Sequence, residues 1–225
     1  MSSSSHARSL PIVIAITGAS GAVYATRLLQ LLSNADRQVH LTISPSGAAV
    51  IYQELGLTID VRKPDLPKLL STVPKYVDDD GHRETAEHAA TLTDQFIRYH
   101  AYDDYMTPIA SGSFRTAAMV VCPCSGSTLS GIARASASNL IQRAAEVHLK
   151  EHRKLILVPR ETPMSVLQLE NATKLAAAGA VLLPAMPGFY HPIDGIGSLV
   201  DFVVGRILDQ LDVPIELIKR WGAPG

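Results

Sequence analysis

Five short apolar runs recur along this chain, each followed by a stretch with helical patterning, and this alternation limits the fold more than any other feature. The runs occupy 11–17, 39–44, 117–122, 155–158 and 180–183; the helical stretches occupy 22–33, 46–56, 128–152, 164–178 and 196–211. Strands separated by helix-length crossovers cannot close as hairpins, so they pair in parallel. Right-handed crossovers then put helices on both faces of the sheet. The expected class is α/β. In such a sheet, ligands bind in the crevice outside the carboxyl ends of the strands.

At 225 residues the chain is long enough for one α/β domain with a full core. That domain is expected over 10–212, between a polar, disordered tail (1–9) and a C-terminal extension (213–225). A formal net charge of -1 gives no electrostatic footprint for nucleic acid. No run approaches the ~18 apolar residues of a membrane span, and the apolar run behind the tail is too short and β-branched for a secretory signal. Cys122 and Cys124, two apart at a strand end, suit neither a disulfide nor a zinc set, and read as inert packing. The expected location is a reducing cytoplasm.

Local signals refine the elements. Thr162 can cap the fourth helix, Pro163 fits its first turn, and Gly179 can end it. Within 128–152, Asn139, Arg143, Glu146 and Lys150 recur at intervals of four, three and four, so one continuous helix would carry them on a single polar face. That face is either a solvated stripe or part of a site. The polar stretch 75–82 reads as a β-hairpin or a flexible insertion. Leu217, Ile218 and Trp221 in the extension can pack on a neighbouring subunit or on their own domain.

Three segments carry chemistry. Gly18-Ala19-Ser20-Gly21 is a small-residue turn between the first strand and its helix, where amide groups can receive a phosphate. It lacks the full dinucleotide glycine set, and Ser20 can be a ligand donor or a helix cap. Cys122-Pro123-Cys124-Ser125-Gly126-Ser127-Thr128 repeats the logic with three hydroxyls before a long helix. Arg160-Glu161 sets a cation beside a carboxylate between Pro159 and Pro163, either at the ligand crevice or as a surface salt bridge. Past the last strand, Tyr190 can hydrogen-bond a phosphate, and His191 is read as capping or packing.

Together and in this order, these segments resemble the flavin prenyltransferases of the UbiX type. The strongest stretches are ITGASGA (16–22), CPCSGSTLSGIA (122–133), NLIQRAAEVHLKEHRKLILVPRETP (139–163) and LPAMPGFYHP (183–192). The resemblance implies a Rossmann-like or flavodoxin-like three-layer fold with a mostly parallel central sheet, assembled as a homododecamer with sites at subunit junctions. It implies reduced FMN as co-substrate and dimethylallyl phosphate or pyrophosphate as donor, with no metal. The product would be prenylated FMN, the cofactor of UbiD-type decarboxylases.

By position, the resemblance places Gly18, Ala19, Ser20, Ser44, Ser125, Gly126, Ser127, Thr128 and Arg160 against the flavin nucleotide. It places Tyr190 and Arg206 on the prenyl phosphate, with Arg143, Lys150, Glu161 and Glu54 in the same polar pocket. Glu161 is the first candidate for proton carrier, with Glu54 and the departed phosphate as the alternatives, and Ser20 and Tyr105 are further catalytic candidates. Tyr105 stands where relatives often have Trp, keeping an aromatic face for a cation-like allyl group. A flavin-dependent cysteine decarboxylase shares the sheet, but carries Pro-x-Met-Asn about where Pro159-Arg160-Glu161-Thr162-Pro163 stands. An FMN storage protein would need the flavin loops without the basic residues.

Overall fold

The computed structural model describes residues 10–77 and 79–218. Its strands β1 (Ile12–Ile16), β2 (Val39–Ile43), β3 (Ile97–Tyr99), β4 (Ala118–Cys124), β5 (Lys154–Pro159) and β6 (Val181–Leu182) form one sheet in the order β3-β2-β1-β4-β5-β6. All the pairings are parallel. The chain moves outward from β1 in one direction, then returns to β4 and moves outward in the other. The switch point, where the crevice of a doubly wound sheet opens, therefore lies between β1 and β4.

The period of two decides which helices cover which face. Ile12, Ile14 and Ile16 of β1 join Leu28, Leu29 and Leu32 of α1 (Ala22–Asn34) and Val203, Val204 and Ile207 of α9 (Ile196–Gln210) in one apolar cluster. Val13 and Ala15 point the other way, into a cluster with Leu129 of α6 (Gly126–Ala133) and Leu140, Ile141 and Ala144 of α7 (Leu140–Lys150). Each fully buried Leu or Ile contributes about 1.5–3 kcal/mol, so the two clusters fix the layers. Helices α2 (Pro45–Leu55), α3 (Leu66–Ser71), α4 (Asp80–Thr91), α5 (Thr93–Phe96) and α8 (Val166–Ala177) complete them.

Several expectations are corrected. The segment 128–152 is two helices, because Ala135 and Ala137 take left-handed φ of 52° and 42°. Asn139 then begins a new helix: its side chain accepts from the Gln142 N–H at 3.0 Å, so it is a cap and not part of a stripe. α8 starts at Val166, capped by Ser165 with Gln168 in a capping box, and not at Thr162 and Pro163. Gly179, at φ 95°, does end that helix. The stretch read as a hairpin or insertion is a 3₁₀ turn (Lys75–Val77) running into α4, which buries His82, Ala86 and Ala89. β3 was not foreseen. In the extension, Leu217 and Ile218 pack against the chain's own core, while residues 1–9 and Trp221 lie outside the described residues. No helix among the described residues is long and apolar enough to cross a membrane.

Candidate active site

The site grows from the strand ends at the switch point. β4 carries an extra residue opposite β5, between Val121 and Cys124, and such a bulge re-aims the backbone. The Pro123 carbonyl accepts from Thr17 N–H at 3.3 Å and from Thr17 Oγ1 at 2.7 Å. Thr17 Oγ1 in turn accepts from the Ser125 N–H at 2.8 Å. A buried threonine therefore stitches the β1 turn to the β4 turn. Sequence reasoning passed it over, although a hydroxyl directly before a glycine turn was visible.

The third wall comes from β2. Ser44 N–H donates to the Ile16 carbonyl at 3.0 Å, and Ser44 Oγ caps α2 through the Gly47 N–H at 3.0 Å. Gly18 faces this wall so closely that a Cβ would lie 2.6 Å from Ser46 Cβ, and only glycine avoids that clash. The fourth comes from β5: Arg160 Nε donates to the Ser20 carbonyl at 3.4 Å. The turns that carry Gly18, Ala19, Ser20, Ser44, Ser125, Gly126, Ser127, Thr128 and Arg160 are thus tied together at the strand ends, where the crevice of such a sheet lies. Ser20, Ser46 and Ser127 are exposed there; Ser125 caps α6 by accepting from the Thr128 N–H at 3.3 Å.

Of the small-residue turn 18–21, the Gly21 amide is already taken. Gly21 begins α1 at φ 115° with no side-chain cap of its own. Instead Glu54 accepts from Gly21 N–H at 3.0 Å and from Ala22 N–H at 2.8 Å. A helix N-terminus attracts an anion, and here the chain supplies its own. Ser20 is not the cap.

Arg160 and Glu161 are not a salt bridge with each other. Arg160 reaches back to Ser20, whereas Glu161 accepts from Gln168 Nε2 at 3.2 Å and from its neighbour Thr162 N–H at 3.3 Å. With Thr162, Met164 and the 184–186 strand-end turn they border a cavity of about 50 Å³. Tyr24 and Tyr76 lie close enough to Glu54 to feel its charge. Burial raises the Tyr24 hydroxyl's pKa; the Glu54 carboxylate adds to this, and Arg160 opposes it. Tyr76 is likewise raised, by burial, then by Glu54 and Tyr24. Burial pushes the Cys124 thiol up to about 12 and Cys122 further in the same direction, so both are packing groups and not nucleophiles.

The remaining candidates stand elsewhere in the chain. Lys150 ends α7 before β5 begins, beside Glu151 at 2.6 Å, whereas Glu161 follows the other end of β5. A six-residue strand spans about 20 Å, so the two cannot meet within one chain. Arg143 donates to the Ala110 carbonyl at 3.1 Å and pairs with Glu146 at 3.3 Å. Tyr105 donates to the Ala137 carbonyl at 2.9 Å, at the α6–α7 joint. Tyr190 and His191 both pack on Phe202 of α9, with His191 stacked at 5.2 Å, and Arg206, one turn on, pairs with Asp209 at 2.6 Å. His191 therefore packs, as one reading had it. Among the described residues no group of His, Cys, Asp or Glu is placed to hold a metal.

A doubly wound sheet with hydroxyl-rich turns at its switch point defines a nucleotide-binding α/β protein. A family model described as Flavoprotein matches residues 1–208. The flavin prenyltransferase UbiX of Pseudomonas aeruginosa is 45% identical over 211 residues, covering 94% of this chain and 93% of its own length. A crystal structure of AnUbiX in complex with FMN and dimethylallyl pyrophosphate is 34% identical with a TM-score of 0.74, covering 97% of this chain and 100% of that one. A dodecameric FMN-dependent UbiX-like decarboxylase from Escherichia coli O157:H7 is 33% identical with a TM-score of 0.75, covering 95% of this chain and 100% of that one. The chain belongs to the flavoprotein family, in its UbiX-type flavin prenyltransferase branch.

Proposed function

We propose that this protein transfers a dimethylallyl group from dimethylallyl phosphate or pyrophosphate to N5 and C6 of reduced FMN, giving prenylated FMN. The observation that carries the reading is the convergence of the turns after β1, β2, β4 and β5 on one crevice, with Arg160 and Glu161 at its open side. The residues fit FMN. Glycines stand where side chains would close the crevice at Ser46 and Gln168, and the α6 N-terminus, with exposed Ser127 and nearby Arg160, suits the phosphate. Reduced FMN supplies the nucleophilic N5.

In the transfer, the carbon–oxygen bond of the donor breaks and the phosphate leaves with its electron pair. A bond forms to N5, which loses a proton. Closure then adds a proton to the alkene, forms the bond to C6 and removes the C6 proton. The cations of the site stabilise the departing phosphate, and Glu161 moves the proton during closure. Glu54 orders the first turn by holding its amides, and Ser20 offers a hydroxyl and a carbonyl at the flavin edge.

Arg143, Lys150, Tyr105, Tyr190 and Arg206 join the same pocket from further copies of the chain in a homododecamer. The reading is supported by the strand-length separation of Lys150 from Glu161 and by the apolar groups that α8 and its neighbours leave exposed, including Val166, Leu167, Met186 and Phe189. The product serves a UbiD-type decarboxylase, and the reaction is placed in the cytoplasm. Anaerobic incubation with reduced FMN and each donor, followed by mass spectrometry of the extracted flavin, tests the reading. A flavin heavier by one five-carbon unit is expected; unmodified flavin with bound FMN would overturn it.

A further inference from the structure

We infer that Gln168 is a positioning residue for Glu161, so that the cap of α8 also aims the proton carrier at the flavin. The inference rests on the proposed role of Glu161. Three observations carry it. Gln168 Oε1 accepts from the Ser165 N–H at 2.8 Å, and because a backbone N–H can only donate, this fixes which end of the amide faces the cap. The NH₂ end must then face outward, and it donates to Glu161 Oε2 at 3.2 Å. The path of that amide runs over the second flavin turn: a Cβ on Gly126 would lie 2.7 Å from Gln168 Nε2. Gly126 therefore leaves the space through which Gln168 reaches Glu161.

The geometry gives this glutamine two separate duties. Its backbone N–H and Oε1 close the capping box with Ser165, whose Oγ accepts at 3.3 Å. Its Nε2 restrains a carboxylate that, among the described residues, is otherwise held by the N–H of its neighbour Thr162. A proton carrier on an exposed loop loses efficiency when its orientation is free, because transfer requires hydrogen-bond reach of the reacting atom.

The two duties can be separated by substitution. Gln168→Glu keeps a residue able to close the capping box but replaces the donating NH₂ by an oxygen. Ser165→Ala weakens the cap but leaves the Ser165 N–H to orient Gln168. Single-turnover reactions with reduced FMN and donor are quenched and resolved by chromatography into singly alkylated and cyclised flavin, which have the same mass because closure adds one proton and removes another. With Gln168→Glu and Gln168→Ala, closure should slow by about 10-fold or more, with the donor KM within about twofold of wild type. Ser165→Ala should close at the normal rate despite a lower melting temperature. Normal closure in Gln168→Glu, with closure impaired in Glu161→Gln, would overturn the inference alone. Normal closure in Glu161→Gln would overturn the proton-carrier reading and the inference with it. Equal loss in Ser165→Ala and Gln168→Glu would reduce Gln168 to a helix cap.

Discussion

Two polar clusters in this chain hold charge in opposite ways. Where α1, α4 and α9 meet, Arg27 of α1 donates to Asp201 of α9 at 2.8 and 3.1 Å, and His82 of α4 lies between Asp79 at 2.6 Å and Asp201 at 3.3 Å. Arg27, His82 and Asp201 keep side-chain exposures of only 7, 10 and 13%. Gly197 of α9 passes so close that a Cβ would sit 2.8 Å from Asp79 Oδ2, so the clasp is built on a matching gap. At the crevice, by contrast, Arg160 makes one long bond to a carbonyl and Glu161 is held from one side, and both face open space. Charges whose partners all come from within the chain hold the fold together. Charges left partly unspent at a strand-end crevice are available to a ligand.

Breaking the clasp should give the largest effect. Asp201→Ala leaves the Arg27 guanidinium buried without its partner, and should cost about 3–5 kcal/mol of stability in chemical denaturation, with turnover per folded molecule retained. Glu161→Gln should do the reverse, lowering turnover by about 100-fold or more with the melting temperature unchanged. If the two variants exchanged phenotypes, the distinction between the clusters would be lost.

Hybrids sharpen the contrast between what one chain builds and what several must build. Lys150→Ala and Glu161→Gln chains should each be poorly active alone. Co-expressed, they should regain about a quarter of wild-type activity if each pocket draws the two residues from different copies and the chains mix at random. No recovery would place both residues in one chain's site.

The smallest effect is a pH dependence. Burial of the His82 ring opposes its protonation, but the hydrogen bonds it donates to the Asp201 and Asp79 carboxylates outweigh this and raise its pKa above 6.5. Its contribution to stability is therefore complete below 6.5 and is lost as pH rises through the folded-state value. Burial likewise works against the charged form of Asp201, but bonds from His82 and Arg27 take its pKa below 3.8, so its contribution is lost only as pH falls through that lower value. His40, lowered to about 4 by burial and then by His100 and Arg98, has the opposite sign to His82: its contribution is lost on the acid side. Thermal melts of wild type and His82→Gln from pH 5.5 to 8.5 remove that background by difference. Their gap should be widest at the acid end and should narrow as pH rises; a constant gap would dismiss the ionic role of His82.

Much of the crevice was legible because its information is local. An apolar run followed by Gly18-Ala19-Ser20, or by Ser125-Gly126-Ser127-Thr128, states both a strand end and a turn within a few residues. The α4 segment was illegible for the converse reason. Its buried face consists of His82, Ala86 and Ala89, which carry almost no apolar signal, and its reason to be helical lies on α1 and α9. The break between α6 and α7 was hidden as well, because Ala135 and Ala137 are residues that ordinarily continue a helix.

The sequence by itself determined the alternation, the parallel sheet, the strand-end turns and the family, since each is written in contiguous residues. Only the tertiary structure decided who meets whom. Glu54 fills the α1 N-terminus from 33 residues away, Thr17 joins turns more than 100 residues apart, and Lys150 stands a strand's length from Glu161. These are long-range pairings, fixed when the two apolar clusters pack onto opposite faces of the sheet and bring the strand ends into line.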